Sequence, residues 1–149
     1  MTVNQQGRAI LARIAALPDR TWTSCRGCRT VLHGGRLSRT NGVCPECGHH
    51  GRLGARERIA QLTDPGSFDE HHAEVMGGDP LQFVDRLPYP QRLARARAAT
   101  GTAEAAVVGT ARLGGHPVVL AVLDFAFLGG SMGSVVGEKI AYAAELAAA

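Results

Sequence analysis

The chain has 149 residues, 45% hydrophobic and 19% charged. That composition fits one packed domain or two small ones and excludes global disorder. No apolar run approaches the roughly 18 residues of a membrane span, and Met1 to Gln6 lack the apolar stretch of a secretory signal. A cytoplasmic setting is expected, where paired cysteines hold metal more often than they form disulfides.

The net charge of +3 is unevenly placed. Residues 1–60 carry ten Arg against Asp19, Glu46 and Glu57, whereas residues 61–149 carry six basic and ten acidic groups. A basic half points to an anionic partner, against the plainer reading of an Arg-rich solvated surface.

In chain order, apolar residues at Ile10, Leu11, Ile14 and Leu17 predict a short helix, ended by Pro18. Residues 1–20 form this N-terminal segment. Residues 21–50 form a cysteine-bearing module, with a hairpin between Val31-Leu32 and Leu37 expected to turn at Gly34-Gly35. Residues 51–104 form a helical connecting region. In it, Arg52 to Leu62 reads as helix, Asp64-Pro65-Gly66-Ser67 as a turn, and Phe68 to Pro90 as irregular chain with room for one short helix. Pro90 to Ala99 reads as a helix that Gly101 stops.

Residues 105–149 then give two strands, Ala105 to Leu113 and Pro117 to Phe127, turning at Gly114-Gly115. The second strand runs Val118-Val119-Leu120-Ala121-Val122-Leu123, apolar on both faces, which predicts burial on both sides. Ser131 to Ala149 reads as a helix. The chain stops inside it without a capping glycine or polar tail, so cover from a partner chain or from a longer protein is expected.

Two motifs carry chemistry. The first is Cys25-x2-Cys28-x15-Cys44-x2-Cys47, which uses every cysteine in the chain. Two knuckles of two thiolates at this spacing are the pattern of a zinc ribbon, a closed structural site with no open position for substrate. A dithiol redox pair would need one Cys-x-x-Cys in a thioredoxin-like setting. His49 and His50 follow Cys47 and could substitute as ligands, against the simpler reading as surface residues.

The second motif is Phe127-Leu128-Gly129-Gly130-Ser131-Met132-Gly133, a glycine loop between strand and helix. Glycine lets backbone approach a ligand closely, and unpaired amides at a helix start can bind an oxyanion or a phosphate. The plainer reading is a tight turn. No nucleophile or acid–base set stands out. Asp124 and Glu138 flank the loop and read as a strand-end polar group and a helix-surface residue.

Taken together, Trp22-Thr-x-Cys25-x-x-Cys28, Val43-Cys44-Pro45-x-Cys47-Gly48-His49-His50 and Arg58-Ile59-x-x-Leu62-x-Asp64-x-Gly66-Ser67-Phe68 resemble the β subunit of bacterial acetyl-CoA carboxylase carboxyltransferase. So do Tyr89-x-x-Arg92-Leu93, Thr100-Gly101 and the run from Phe125 through Gly129-Gly130-Ser131-Met132-Gly133 to Ile140.

The resemblance implies a four-cysteine zinc ribbon followed by the start of a crotonase-like β/α superhelix, truncated relative to the family. It implies transfer of carboxyl from carboxybiotin on a carrier protein to acetyl-CoA, giving malonyl-CoA. Decarboxylated biotin would remove the α-proton, and the resulting enolate would attack CO2. One structural zinc would sit on Cys25, Cys28, Cys44 and Cys47. Gly129 and Gly130, with Ser131 and Gly133, would form an acyl-CoA and oxyanion loop. The implied partners are a carboxyltransferase α subunit in an α2β2 assembly, a biotin carboxyl carrier protein and a biotin carboxylase. Family members run to nearly twice this length, and a later Ser-Gly-Gly-Ala-Arg type segment that forms an oxyanion hole is absent here. The chain alone is therefore expected to be inactive. The alternatives are a ribbon that binds nucleic acid through its basic half, which has no need of the strand and glycine loop, and a non-catalytic docking protein.

Overall fold

The structure is a computed structural model and describes residues 22–149. The helix expected near Gly7–Leu17, and the segment 1–20 that contains it, lie outside the described residues. The described chain divides into two units, one running through Arg52 and one from Leu53 to Ala149.

The first unit is built on a two-stranded ribbon. Strand β1 (Trp22–Ser24) pairs antiparallel with β2 (Val31–His33), with Thr23 opposite Leu32. Leu32, Cys25 and Cys44 form its small buried core, with Leu37 packed against them. The hairpin expected to turn at Gly34-Gly35 is not there. Those glycines open a short helix, α1 (Gly34–Arg39), and the His33 ring accepts a hydrogen bond from the Gly35 amide at 3.2 Å. The reason is one of pairing: β2 already has its partner in β1, on the other side of the first cysteine pair, so the chain after it is free to coil.

The second unit is a three-stranded antiparallel sheet packed between helices. Helix α2 (Ala55–Leu62) buries Ala55 and Ile59 against Val107. Strand β3 (Asp69–His71) leads to an irregular stretch and then α3 (Tyr89–Thr100), which Pro90 opens and Gly101 closes at φ 69°. Strands β4 (Ala106–Leu113) and β5 (His116–Leu123) form the expected hairpin. Gly114 and Gly115 turn it with φ of 59° and 83°, the left-handed pair that matches strand twist. Helix α4 (Ser134–Ala148) follows.

Burial falls on β4, not β5. Val107 meets α2, while Ala106 joins Leu93, Ala96, Phe127 and Val136 in the core on the other side. Alternation along the strand thus gives β4 two apolar faces with a helix on each. Strand β5 is paired on one edge only among the described residues and stays half-exposed, so its apolar sequence is not matched by cover from this unit.

Strand β3 lies in the stretch expected to be irregular. Its Asp-Glu-His sequence carries no strand signature. It pairs because Gly109 leaves room: a Cβ there would overlap the Asp69 carbonyl oxygen and stand 2.9 Å from the Phe68 ring. Asp64 then latches the far hairpin, its two carboxylate oxygens accepting from the Gly114 and Gly115 amides at 2.9 and 2.8 Å. Ser67 Oγ donates to the Arg112 carbonyl and accepts from the Arg112 amide. Gly109→Ala should cost about 3 kcal/mol or more in urea unfolding, because backbone and not a flexible side chain blocks the added methyl. Asp64→Ala, which leaves the turn amides to water, should cost only about 1–2 kcal/mol.

Candidate functional site

Four cysteines on two like turns

The two cysteine pairs sit on turns with the same hydrogen-bond pattern. In the first, the Arg29 amide donates to the Cys25 carbonyl and the Cys25 amide to the Thr30 carbonyl, both at 2.9 Å. In the second, Gly48 donates to Cys44 and Cys44 to His49, both at 2.8 Å. The fifth residue of each turn is left-handed, Arg29 at φ 61° and Gly48 at φ 72°. The four Sγ atoms converge, with Cys25 and Cys47 3.7 Å apart, Cys28 and Cys44 3.8 Å apart, and all within 4.8 Å. A tetrahedral ion with bonds of about 2.3 Å to sulfur needs S···S separations of about 3.8 Å. The donor set therefore fits one metal ion, with no position left open. His49 and His50 are exposed and outside this set. The Gly27 amide reaches Cys25 Sγ at 3.3 Å, the backbone contact that favours a thiolate.

The four thiols sit in unlike surroundings. The Thr30 hydroxyl and amide hold Cys28 down to about 6. At Cys47 the His49 amide favours the thiolate, but burial and the other three sulfurs outweigh it and push the thiol up to about 12. A bound dication removes that conflict.

The glycine loop and its anchors

The loop leaves β5 at Asp124 and reaches α4 at Gly133. Leu128–Gly130 form a single 3-10 turn, closed by the Gly130 amide on the Phe127 carbonyl at 2.8 Å. Gly129 and Gly130 are both left-handed, at φ 72° and 71°, and a Cβ on Gly130 would press on the Phe125 ring at 3.4 Å. Ser131, Met132 and Gly133 are exposed. The first helical bond of α4 runs from the Gly137 amide to the Gly133 carbonyl, so the amides of Ser134, Val135 and Val136 have no intrahelical acceptor. No side chain caps them and no acidic residue stands in the first turn. The positive end of the helix is thus presented beside an exposed glycine loop. The sequence-predicted residues Gly129, Gly130, Ser131 and Gly133 are together here; Glu138 is exposed on α4.

Asp124 does more than end a strand. It is 7% exposed, and one carboxylate oxygen accepts from the Ala126 amide at 2.8 Å. The other accepts from the Ala55 amide at 3.1 Å, at the start of α2. Its amide donates to the Ala105 carbonyl at 2.7 Å. The carboxylate therefore caps a helix 69 residues earlier and shapes the loop entrance at once. Nothing about its place in the chain announces this; the one available signal is a lone carboxylate inside an apolar run. Asp124→Ala should cost about 2–3 kcal/mol in chemical unfolding, as the buried Ala55 amide and the part-buried Ala126 amide both lose their carboxylate acceptor.

Relatives of known kind

The chain is 54% identical over 128 residues to the "acetyl-coenzyme A carboxylase carboxyl transferase subunits beta/alpha" of Salinispora arenicola, covering 86% of this chain and 23% of that protein. It is 51% identical over 127 residues to the carboxyl transferase subunit beta of Thermus thermophilus, covering 85% of this chain and 44% of that one. The chain is homologous to part of the carboxyltransferase β subunit. No protein-family model matches it. Among solved structures, a single-chain, multi-domain long-chain acyl-CoA carboxylase superposes with a TM-score of 0.52 at 25% identity, over 99% of this chain and 13% of that one. The mixed α/β architecture with its four-cysteine cluster agrees with the ribbon and crotonase-like domain that the sequence implied. The chain spans less than half the length of these relatives. Among the described residues, no helix is long and apolar enough to cross a membrane.

Proposed function

We propose that the chain is the N-terminal part of an acetyl-CoA carboxylase carboxyltransferase β subunit, working in the cytoplasm. In that reading it helps move a carboxyl group from carboxybiotin on a carrier protein to acetyl-CoA. Its partners are a carboxyltransferase α subunit, a biotin carboxyl carrier protein and a biotin carboxylase. The observation that carries the reading is roughly half identity with named β subunits over 85% of the chain, in a fold that brings the four sulfurs together and leaves the start of α4 uncapped beside the glycine loop.

Cys25, Cys28, Cys44 and Cys47 hold one Zn2+ in this reading, as a purely structural ion. The chemistry belongs to the loop. When acetyl-CoA loses a proton from its α-carbon, negative charge moves onto the thioester oxygen. Backbone amides at Gly129 and the start of α4 can donate to that oxygen, and they need no reorganisation because the fold already holds them. Their glycines keep side chains out of the way of the thioester. The new carbon–carbon bond forms at the α-carbon, and the carboxyl leaves the biotin nitrogen, which gains the proton.

The full-length β subunit with its α partner should form malonyl-CoA from acetyl-CoA and carboxybiotin, and the 149-residue chain alone should form none. Gly130→Val should cost about 1–3 kcal/mol of stability through its left-handed backbone. It should lower kcat/KM in the assembled enzyme far more than the folded fraction falls. Turnover by the lone chain, or equal losses of folding and activity, would argue against the loop's role.

Metal analysis should find one zinc per chain. Chelation should abolish the ribbon's structure and make all four thiols reactive, since a closed zinc site supplies folding energy outright. A metal-free protein, equally folded with four reactive thiols, would contradict the zinc assignment.

A further inference from the structure

Helix α4 meets the sheet through an unusual pair of polar side chains. Lys139 is only 2% exposed, and its Nζ donates to the Ala106 carbonyl at 3.2 Å. It makes no ion pair among the described residues; Glu70, Glu104 and Glu74 favour its charge only from a distance. Burial pulls its ammonium below the usual lysine range, the direction expected of a charge removed from water without a close partner. One turn further on, the Tyr142 hydroxyl lies 2.7 Å from His71 Nδ1. The His72 ring stacks on Tyr142 with centroids 3.9 Å apart, and His71 Nε2 lies 3.4 Å from Thr110 Oγ1. Residues 139 and 142 share a helix face, so α4 is pinned to β4 by one and to β3 by the other.

A methionine at position 139 would fill similar space without the cost of burying an ammonium. The apolar contacts of Val135, Val136 and Ala143 are non-directional and do not by themselves fix where along its axis the helix sits. A helix advances about 1.5 Å per residue, so even a partial slide moves its first amides by a distance that matters at a reacting centre. Hydrogen bonds to fixed backbone and ring atoms do set that position. We propose that Lys139 and Tyr142 are positioning residues: they fix the axial placement of α4, and with it the amides of Ser134 to Val136 and the glycine loop before them. The catalytic consequence rests on the carboxyltransferase reading; the structural consequence does not.

The geometry explains why both anchors are polar in a helix interface that is otherwise apolar. It also explains why Lys139 chooses Ala106. The neighbouring carbonyl, Ala105, holds the Asp124 amide at the loop entrance. The two ends of the loop are thus referenced to adjacent buried residues, Ala105 just before β4 and Ala106 at its start, and the loop between them has its span set at both ends.

The test has two arms. Backbone amide NMR of the 149-residue chain compares wild type with Lys139→Met and with the milder Tyr142→Phe. The resonances of Gly129, Gly130, Gly133 and Ser134 should shift or broaden in both variants, while Gly114 and Gly115 at the hairpin turn keep their positions. Loop resonances that stay put in a folded Tyr142→Phe or Lys139→Met chain would overturn the proposal. In the full-length β subunit assembled with its α partner, Lys139→Met should reduce kcat by about tenfold or more, with the fold and the KM for carboxybiotin retained. Loss that merely follows the unfolded fraction would overturn the catalytic consequence. A wild-type assembly without carboxyltransferase activity would defeat the functional reading instead, leaving the NMR arm to decide the role of Lys139 and Tyr142.

Discussion

Much of the second unit depends on the start of β4, at Ala106 and the residue before it, Ala105. These residues are almost wholly buried, and their carbonyls hold both ends of the glycine loop: the Ala105 carbonyl takes the Asp124 amide at 2.7 Å, continuing the β4–β5 register, and the Ala106 carbonyl takes the Lys139 ammonium at 3.2 Å. Both are hydrogen bonds in an environment where an unmade bond would be costly. One holds the start of the glycine loop, the other the helix that ends it. Because Asp124 also caps α2, the helix on the opposite face of the sheet is tied into the same point. A central strand with two buried faces makes this arrangement possible, since it can receive elements from both sides at once.

The two units answer different physical problems. Among its described residues, the unit that runs through Arg52 has a core of Leu32, Cys25 and Cys44, with Leu37 packed against them. So small a core is the case in which a metal usually supplies what burial cannot. Its two like turns bring four sulfurs to tetrahedral spacing without help from any histidine. The unit from Leu53 has two apolar clusters of its own, one on each face of β4, and uses its polar groups for placement: Asp64 on the hairpin turn, Asp124 on α2, Lys139 and Tyr142 on α4.

The parts legible in the sequence were those whose chemistry is local. Four cysteines at fixed spacing, Gly101 after an amphipathic stretch, and Gly114-Gly115 between apolar runs each carry their reason within a few residues. The helix from Tyr89 and the strand pair after it could be read from them. The parts that escaped depend on distant partners. Strand β3 is three polar residues, and it pairs because Gly109, far along the chain, has no side chain. Gly34-Gly35 looked like a hairpin turn because the sequence does not show that β2 is already paired with β1. The apolar run of β5 promised burial that sheet order gives to β4 instead. Asp124 read as a strand-end group, and only the fold shows which amides it meets.

The loop itself was visible as a motif but not as a site. Glycines between a strand and a helix make a turn whether or not a ligand is near. What distinguishes this one is geometry: two consecutive left-handed glycines, an uncapped helix start, and anchors at both ends that draw on one strand. The most direct test is a crystal structure of the full-length β subunit with its α partner and acetyl-CoA bound. Under the proposed carboxyltransferase reading, the thioester oxygen is expected within hydrogen-bond distance, about 3 Å, of amides in the loop or at the start of α4. A thioester bound elsewhere, with those amides facing only water, would contradict it.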